Sequence, residues 1–313
     1  MLALVVQTLS VTTPVFAMLL LGMVLKRLGA IDVAFINTAS SLVFNATMPA
    51  LLFLSIYNAD LETALQPALL GYFLLANVAG FFLIWGWARW RVPRIDRGVY
   101  VQGAFRGNNG IVGLALATSL YGDLGLSLGG LLAGAVILIY NVFSAIVLAV
   151  YSPNGNTSPR AIAASVAKNP LVIGVLSAIP FAYWQVGLPQ WLLTSTAYFA
   201  GMSLPLALIC IGGSLSLSAL RDGRRTAIGS SLMKMVWFPA LFTALAWLLG
   251  FRGAELGVLF LYFASPTAAA SYVMARAANA NHQLASAIIV MTTLMAAITI
   301  NLGILTLQSL GWI

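Results

Sequence analysis

The chain has 313 residues, of which 61% are hydrophobic and only 7% are charged, and its formal net charge is +8. A soluble globular protein carries about 25% charged residues, so this composition excludes that class and indicates an integral membrane protein. The apolar segments are each ~20 residues long and do not alternate, which predicts a bundle of membrane helices and not a β-barrel.

Ten apolar segments follow one another, and each predicts a transmembrane helix. The predicted spans are Val5–Leu25, Ala34–Tyr57, Ala68–Ala88, Val99–Leu120, Leu126–Tyr151, Pro170–Val186, Trp191–Leu215, Ala227–Gly250, Gly257–Ala278 and Leu284–Leu310. No basic residue precedes Lys26, so we interpret the first segment as a spanning helix and not as a cleaved signal peptide. The longest polar connection, Ser152–Arg160, is rich in turn residues. The predicted organisation is five spans in residues 1–151, a cytoplasmic linker at 152–168 and five spans in residues 169–313.

The loop charges predict the orientation of these spans. Twelve of the fifteen lysines and arginines fall in alternate loops, beginning with Lys26 and Arg27. Most acidic residues lie in the other loops or at span ends. Since basic loops stay on the cytoplasmic side, both termini are predicted to be periplasmic, assuming a bacterial inner membrane. The basic residues therefore do not indicate nucleic-acid binding.

An inverted repeat follows from the odd number of spans in each half. Pro49 lies in the second span and Pro205 in the seventh, which is the second of the other half. Prolines are common in membrane helices, so one coincidence means little. A second coincidence, between polar interruptions in the fourth and ninth spans, favours the repeat.

The interruptions predict two broken helices. Span four contains Arg106, Gly107, Asn108, Asn109 and Gly110 in sequence. Glycine weakens a helix, and asparagine offers its backbone another partner. Paired interruptions at corresponding places in two halves are the best sequence indication of a transporter's binding site.

In span nine the interruption is Ser265, Pro266 and Thr267. The proline removes a backbone donor and breaks or kinks the helix. The glycines at 107 and 110 are expected to allow close backbone approach where the two segments meet.

Several motifs resemble the auxin efflux carrier family in its bacterial form, over nearly the whole chain. They are Phe44–Phe53 in span two, Phe105–Gly110 in span four, Pro266–Thr267 and Tyr272–Ala275 in span nine, and Thr292–Leu294 with Ile298–Thr299 in span ten. Where the plant carriers have an asparagine after a proline, this chain has Gly107 followed by Asn108. That difference argues against the plant substrate.

The resemblance implies an all-α fold of ten transmembrane helices in two inverted five-helix repeats, with spans four and nine crossing as broken helices. Spans three to five and eight to ten would move as a transport domain. Spans one, two, six and seven would form a scaffold, often the contact of a homodimer. The family transports organic anions, including malonate and malate in bacteria.

Two basic residues lie deep inside predicted spans, Arg106 and Lys234. A charge at such a depth costs ~2.5–3.5 kcal/mol and suggests function. Snorkelling to the interface is the alternative for both, and we expect it for Lys234. No carboxylate lies deep in a span, which favours an anionic substrate. Sodium could still be held by backbone carbonyls, asparagine and threonine, so coupling to sodium or protons stays open.

The predicted function is therefore a secondary carrier of small organic anions that works by alternating access. The predicted substrate-binding residues are Asn45, Arg106, Asn108, Asn109, Ser265 and Thr267, and the predicted helix breaks are at Pro49, Gly107, Gly110, Pro205 and Pro266. No catalytic or metal-ligating motif is found, and no cofactor is expected. The alternatives are a sodium-coupled symporter of the bile-acid type and a membrane sensor with the same fold.

Overall fold

A computed structural model describes residues 2–58, 66–151, 170–215 and 224–313, and its regular elements in these ranges are helices, without a β-strand. The α-helices are α1 Leu2–Arg27, α2 Val33–Leu42, α3 Met48–Tyr57, α4 Pro67–Arg91, α5 Arg97–Phe105, α6 Leu114–Tyr151, α7 Pro170–Tyr183, α8 Gln190–Gly201, α9 Ser203–Ser214, α10 Arg224–Leu232, α11 Phe238–Leu248, α12 Gly253–Phe263, α13 Ala270–Ala277 and α14 His282–Ser309. Within α6 the chain is kinked at Gly122, whose backbone is not helical. Three π-helical turns lie at Val43–Thr47, Asn109–Gly113 and Met233–Trp237. The predicted linker at 152–168 lies outside the described residues.

The chain is a polytopic membrane protein. Within the described residues, six helical stretches are long and apolar enough to cross a membrane, and two apolar helices are shorter. The long stretches are Val33–Tyr57, Pro67–Arg91, Asn109–Tyr151, Gln190–Ser214, Arg225–Leu248 and His282–Ser309, and the shorter helices are Ile173–Tyr183 and Gly253–Phe263. The ten spans and the inverted repeat stay predictions.

Prolines coincide with deformations in three of these stretches. Pro49 and Pro239 each follow a π-helical turn. A proline inside a helix cannot donate to the carbonyl four residues earlier and its ring clashes there, and a π-turn can accommodate that mismatch. Pro205 is the third residue of α9, directly after the interruption at Met202 that separates α8 from α9.

Glycines allow close packing of the helices that flank the centre. A Cβ atom on Gly22 of α1 would overlap the carbonyl oxygen of Ile209 in α9, so α1 and α9 touch backbone to backbone. A Cβ on Gly174 of α7 would lie 2.7 Å from the carbonyl oxygen of Pro49 in α3. Small residues at such crossings are how membrane helices gain packing contacts without a hydrophobic driving force.

Aromatic rings pack around the ends of the two interrupted helices. Phe105 is the last residue of α5, and its ring centroid lies 5.0 Å from that of Phe81 in α4. Phe263 is the last residue of α12, and its ring lies 5.5 Å from that of Phe73, also in α4. One helix therefore supports both ends and keeps them at the same place in the bundle.

Candidate functional site

The two interrupted segments meet and pair through their backbones. Gly107 and Thr267 form an isolated antiparallel bridge. Beside it, the backbone N–H of Asn108 donates to the carbonyl of Pro266 at 2.7 Å. Non-helical backbone at membrane depth is tolerated only where protein or water satisfies it, so this pairing explains how both helices break at one place. We call this region the crossover.

Further hydrogen bonds hold the span-nine side of the crossover. The N–H of Ala268 donates to the carbonyl of Arg106 at 3.1 Å. The N–H of Thr267 donates to the hydroxyl of Thr292 in α14 at 3.1 Å, and the Thr267 hydroxyl donates to the carbonyl of Gly103 at 2.7 Å. The Thr267 side chain is therefore engaged in structure and is buried.

The two predicted close-approach glycines differ in their surroundings. A Cβ on Gly107 would overlap the side-chain oxygen of Asn109 and lie 3.1 Å from Nζ of Lys234. A Cβ on Gly110 would have no neighbour within 4 Å. Close approach is thus found at Gly107, while the expectation for Gly110 was wrong because the space beside it is open.

Ser265 points away from the bridge. Its hydroxyl is buried and donates back to the carbonyl of Leu261 at 2.9 Å, inside its own helix. Gly113, on the span-four side, faces this serine, since a Cβ there would lie 2.7 Å from the Ser265 hydroxyl. The Ser265 hydroxyl is therefore bonded within its own helix and lies at the contact between the two segments.

Arg106 is buried, and its guanidinium donates hydrogen bonds to neutral groups. It donates to the carbonyl of Tyr140 at 3.2 Å, to the hydroxyl of Ser144 at 3.3 Å and to the side-chain oxygen of Asn141 at 3.0 Å, all in α6. It also contacts the sulfur of Met274. No carboxylate is among these partners. The snorkelling alternative is wrong for Arg106 because its charge stays inside the bundle, 8% exposed.

Lys234 is the second buried cation, and here the snorkelling expectation was also wrong. The residue lies in the π-turn Met233–Trp237 and is fully buried. Its Nζ donates to the carbonyl of Phe263 at 2.9 Å and lies 5.0 Å from the ring centroid of Phe238. The lysine therefore reaches from its own span to the point where α12 ends.

A chain of polar side chains joins the crossover to α4. Nδ2 of Asn109 donates to the hydroxyl of Tyr140 at 3.2 Å, and that hydroxyl donates to the side-chain oxygen of Asn77 at 3.1 Å. All three residues are buried. Asn109 Oδ1, in contrast, has no partner in the described part of the chain. The amide nitrogen of Asn109 is thus bonded, while its amide oxygen is buried without a hydrogen-bond partner among the described residues.

Asn108 has the freest polar side chain of the crossover. Its backbone is fixed by the bond to Pro266, yet its amide makes no side-chain hydrogen bond with any described residue. Next to it, Gly110 is partly exposed, and Ala269 and Ala270 at the start of α13 are exposed. Asn108 itself is 9% exposed, so its amide lies just beneath this more open stretch of backbone.

Asn45 lies elsewhere. Its Nδ2 donates to the carbonyl and hydroxyl of Ser41, one turn earlier in the same helical stretch. Together with Pro49 it lines an apolar cavity of ≈ 590 Å³ between α3, α7 and α8. None of the residues of the bridge lines that cavity.

The buried polar residues that surround the crossover were mostly not predicted. Tyr140, Asn77 and Gln102 contribute hydroxyl and amide groups, and Lys234 contributes its charge. The lysine had a signal, because a charge nine residues inside an apolar span is rare. For the other three the only signal was a polar side chain in an apolar helix, which many structural residues share. No group of three His, Cys, Asp or Glu that could hold a metal occurs within the described ranges.

Comparisons with known proteins give one consistent answer. The profile of the family described as "Membrane transport protein" matches residues 9–163 and 158–304. The chain is 26% identical over 292 residues to an uncharacterized transporter of Methanothermobacter thermautotrophicus, which covers 92% of this chain and 94% of the relative. It is 28% identical over 213 residues to an uncharacterized transporter of Methanocaldococcus jannaschii, which covers 66% of this chain and 65% of that relative.

Proposed function

Since the chain belongs to the membrane transport protein family, the auxin efflux carrier family that its motifs resemble, we propose that it is a secondary carrier of small organic anions. The observation that carries the substrate class is the pair of buried cations, Arg106 and Lys234, whose described partners include no carboxylate. Burying a charge costs several kcal/mol per ion, which an anionic ligand would partly offset.

The helix ends at the crossover suit a carboxylate. Two helical segments begin there, the turn Asn109–Gly113 that leads into α6, and α13 at Ala270. The first N–H groups of a helix have no partner within it and carry partial positive charge, so they bind anions. The amide of Asn108 adds donors at the same place. Malonate, malate and similar carboxylates are the substrates that we propose.

Alternating access is the proposed mechanism. The crossover backbone is satisfied by a few hydrogen bonds between two chain segments, and α10, α12 and α14 pack around it. Rigid rocking of such a unit against the remaining helices would expose the amide of Asn108 to one side of the membrane and then the other. We also propose the ten-span inverted topology, with both termini outside the cytoplasm, and a homodimer formed through the scaffold helices.

Counterflow in proteoliposomes tests the proposal. Vesicles loaded with unlabelled malonate or malate should accumulate the labelled anion transiently, because a carrier exchanges both species through one site. Vesicles loaded with choline chloride should not. Passive equilibration without overshoot would indicate a channel, and a protein that binds the anions without moving them would indicate a sensor.

A further inference from the structure

We propose that Lys234 is a built-in cation, held at the end of α12 where cation-coupled carriers bind a free ion, so that this carrier loads its anion without sodium. The sodium-independent loading of the anion rests on the proposed carrier function. The occupancy itself can be tested without knowing the substrate.

The ammonium group of Lys234 bonds the end of a helix. Nζ of Lys234 donates to the carbonyl of Phe263, the last residue of α12, at 2.9 Å. The carbonyls at a helix C-terminus carry partial negative charge. In transporters with broken helices, such half-helix ends and the unwound carbonyls beside them coordinate the coupling ion. Here a side-chain ammonium from another helix takes that position.

An oxygen without a hydrogen-bond partner lies close to the same place. Oδ1 of Asn109 is buried and has no hydrogen-bond partner among the described residues. Both this oxygen and Nζ of Lys234 lie around one point, the position that a Cβ on Gly107 would occupy. The carbonyl of Phe263 accepts from the ammonium, and the amide oxygen of Asn109 lies close by without bonding to it. These are the oxygen donors that alkali cations use when no carboxylate is present.

The side chain of Lys234 is firmly held by its surroundings. It lies in the π-turn Met233–Trp237, immediately before the helix that begins at Phe238, whose ring faces the ammonium at 5.0 Å. π-turns are frequent at functional sites because they re-aim one side chain. The side chain is fully buried, so the charge cannot leave with the substrate.

Capping the end of α12 does not by itself require a charged side chain. A neutral donor, such as glutamine or threonine, can bond a helix-end carbonyl without the cost of burying an ion. The cation is understandable if the charge itself is used. With the site already positively charged, a second cation beside it would be repelled, and this argues against a sodium ion at the same end of α12.

Thermal unfolding of the purified protein provides the test, with sodium and ethylammonium as the probes. At equal ionic strength, the melting temperature of the wild type should be the same in sodium chloride and in choline chloride. Lys234→Ala should melt lower in choline chloride and should recover in a saturable way with sodium or ethylammonium, since a ligand that binds only the folded state raises its stability. Lys234→Met should also melt lower but should not recover, because its side chain fills the space.

Lys26→Ala, at the end of α1, is the matched control and should behave as the wild type in every salt. Saturable stabilisation of the wild type by sodium would overturn the inference, and so would a Lys234→Ala protein that responds to neither cation. Counterflow separates the two proposals. A wild type that exchanges malonate only in sodium retains the carrier function and refutes the built-in cation. A wild type that exchanges no anion refutes the carrier, while the melting curves still judge the lysine.

Discussion

The backbone N–H of Asn108 donates a 2.7 Å hydrogen bond to the carbonyl of Pro266, and this contact ties together two chain segments that are 158 residues apart. Because the bond uses only backbone atoms, the side chain of Asn108 is not needed to close the crossover. The same bond therefore fixes the position of an amide whose side chain bonds no described residue, and we propose that a ligand uses it.

Replacement of Asn108 tests that availability. Asn108→Ala should weaken anion binding by ~1.5–3 kcal/mol, or roughly ten- to a hundred-fold, since it removes a donor to a charged ligand. The melting temperature should change little because the amide bonds no described side chain. Asn108→Asp should bind worse still, as it places a like charge beside the anion. Titration calorimetry or thermal shift with malonate measures both.

Asn45→Ala is the comparison for this experiment. Asn45 bonds only within its own helical stretch and lines the apolar cavity, so the crossover proposal expects unchanged affinity. If Asn45→Ala loses the anion and Asn108→Ala keeps it, the binding site lies between α3, α7 and α8 and not at the crossover.

Two glycines in the crossover should respond in opposite ways to alanine. At Gly107 the new methyl group would overlap the side-chain oxygen of Asn109 and crowd Lys234, so Gly107→Ala should lower the melting temperature and abolish transport. At Gly110 nothing lies within 4 Å. Gly110→Ala should be tolerated, and could stabilise the turn by about 0.5–1 kcal/mol, because alanine loses less backbone freedom than glycine. Equal effects of the two substitutions would contradict the geometry of the bridge.

The two helix breaks could be predicted from residue types, whereas the hydrogen-bond partners of the side chains around them could not. An arginine, two asparagines and three glycines within residues 105–113 of one apolar span, and a proline in another, leave few structures that a bilayer permits. Lys234 was misassigned because the helical pattern shows its depth and not the direction of its side chain. The lysine bonds the backbone carbonyl of Phe263, which lacks an intrahelical partner only because α12 ends there. The hydrogen bonds of Tyr140 and Asn77 likewise depend on how three spans pack.

Two tyrosines with buried hydroxyl groups give a matched test of the polar chain beside the crossover. The hydroxyl of Tyr140 bonds both Asn109 and Asn77, whereas the buried hydroxyl of Tyr121 has no partner in the described residues. Tyr140→Phe leaves two buried groups unpaired and should cost about 1–3 kcal/mol for each. Tyr121→Phe should be neutral or stabilising. Chemical or thermal unfolding in detergent measures the difference, and a Tyr140→Phe protein as stable as Tyr121→Phe would show that water replaces the hydroxyl.

Arg106 separates the effect of charge from the effect of shape. Its guanidinium reaches Tyr140, Ser144 and Asn141 at once, which a lysine ammonium cannot do. Arg106→Lys should therefore lose stability by about 1.5–3 kcal/mol, the range for hydrogen bonds to charged groups, while keeping the positive charge and most of the anion affinity.

Arg106→Met removes the charge and keeps a long apolar side chain. A unit charge ~10 Å from the anion contributes about 1.7 kcal/mol at an effective dielectric constant of ~20, so affinity should fall roughly ten- to twenty-fold. The relative order of the two variants is the informative result. Binding that follows charge, with lysine above methionine, supports electrostatic attraction of an anion. Equal anion affinity in Arg106→Lys and Arg106→Met would mean that Arg106 only ties α6 to the crossover, and that Lys234 alone supplies the attracting charge.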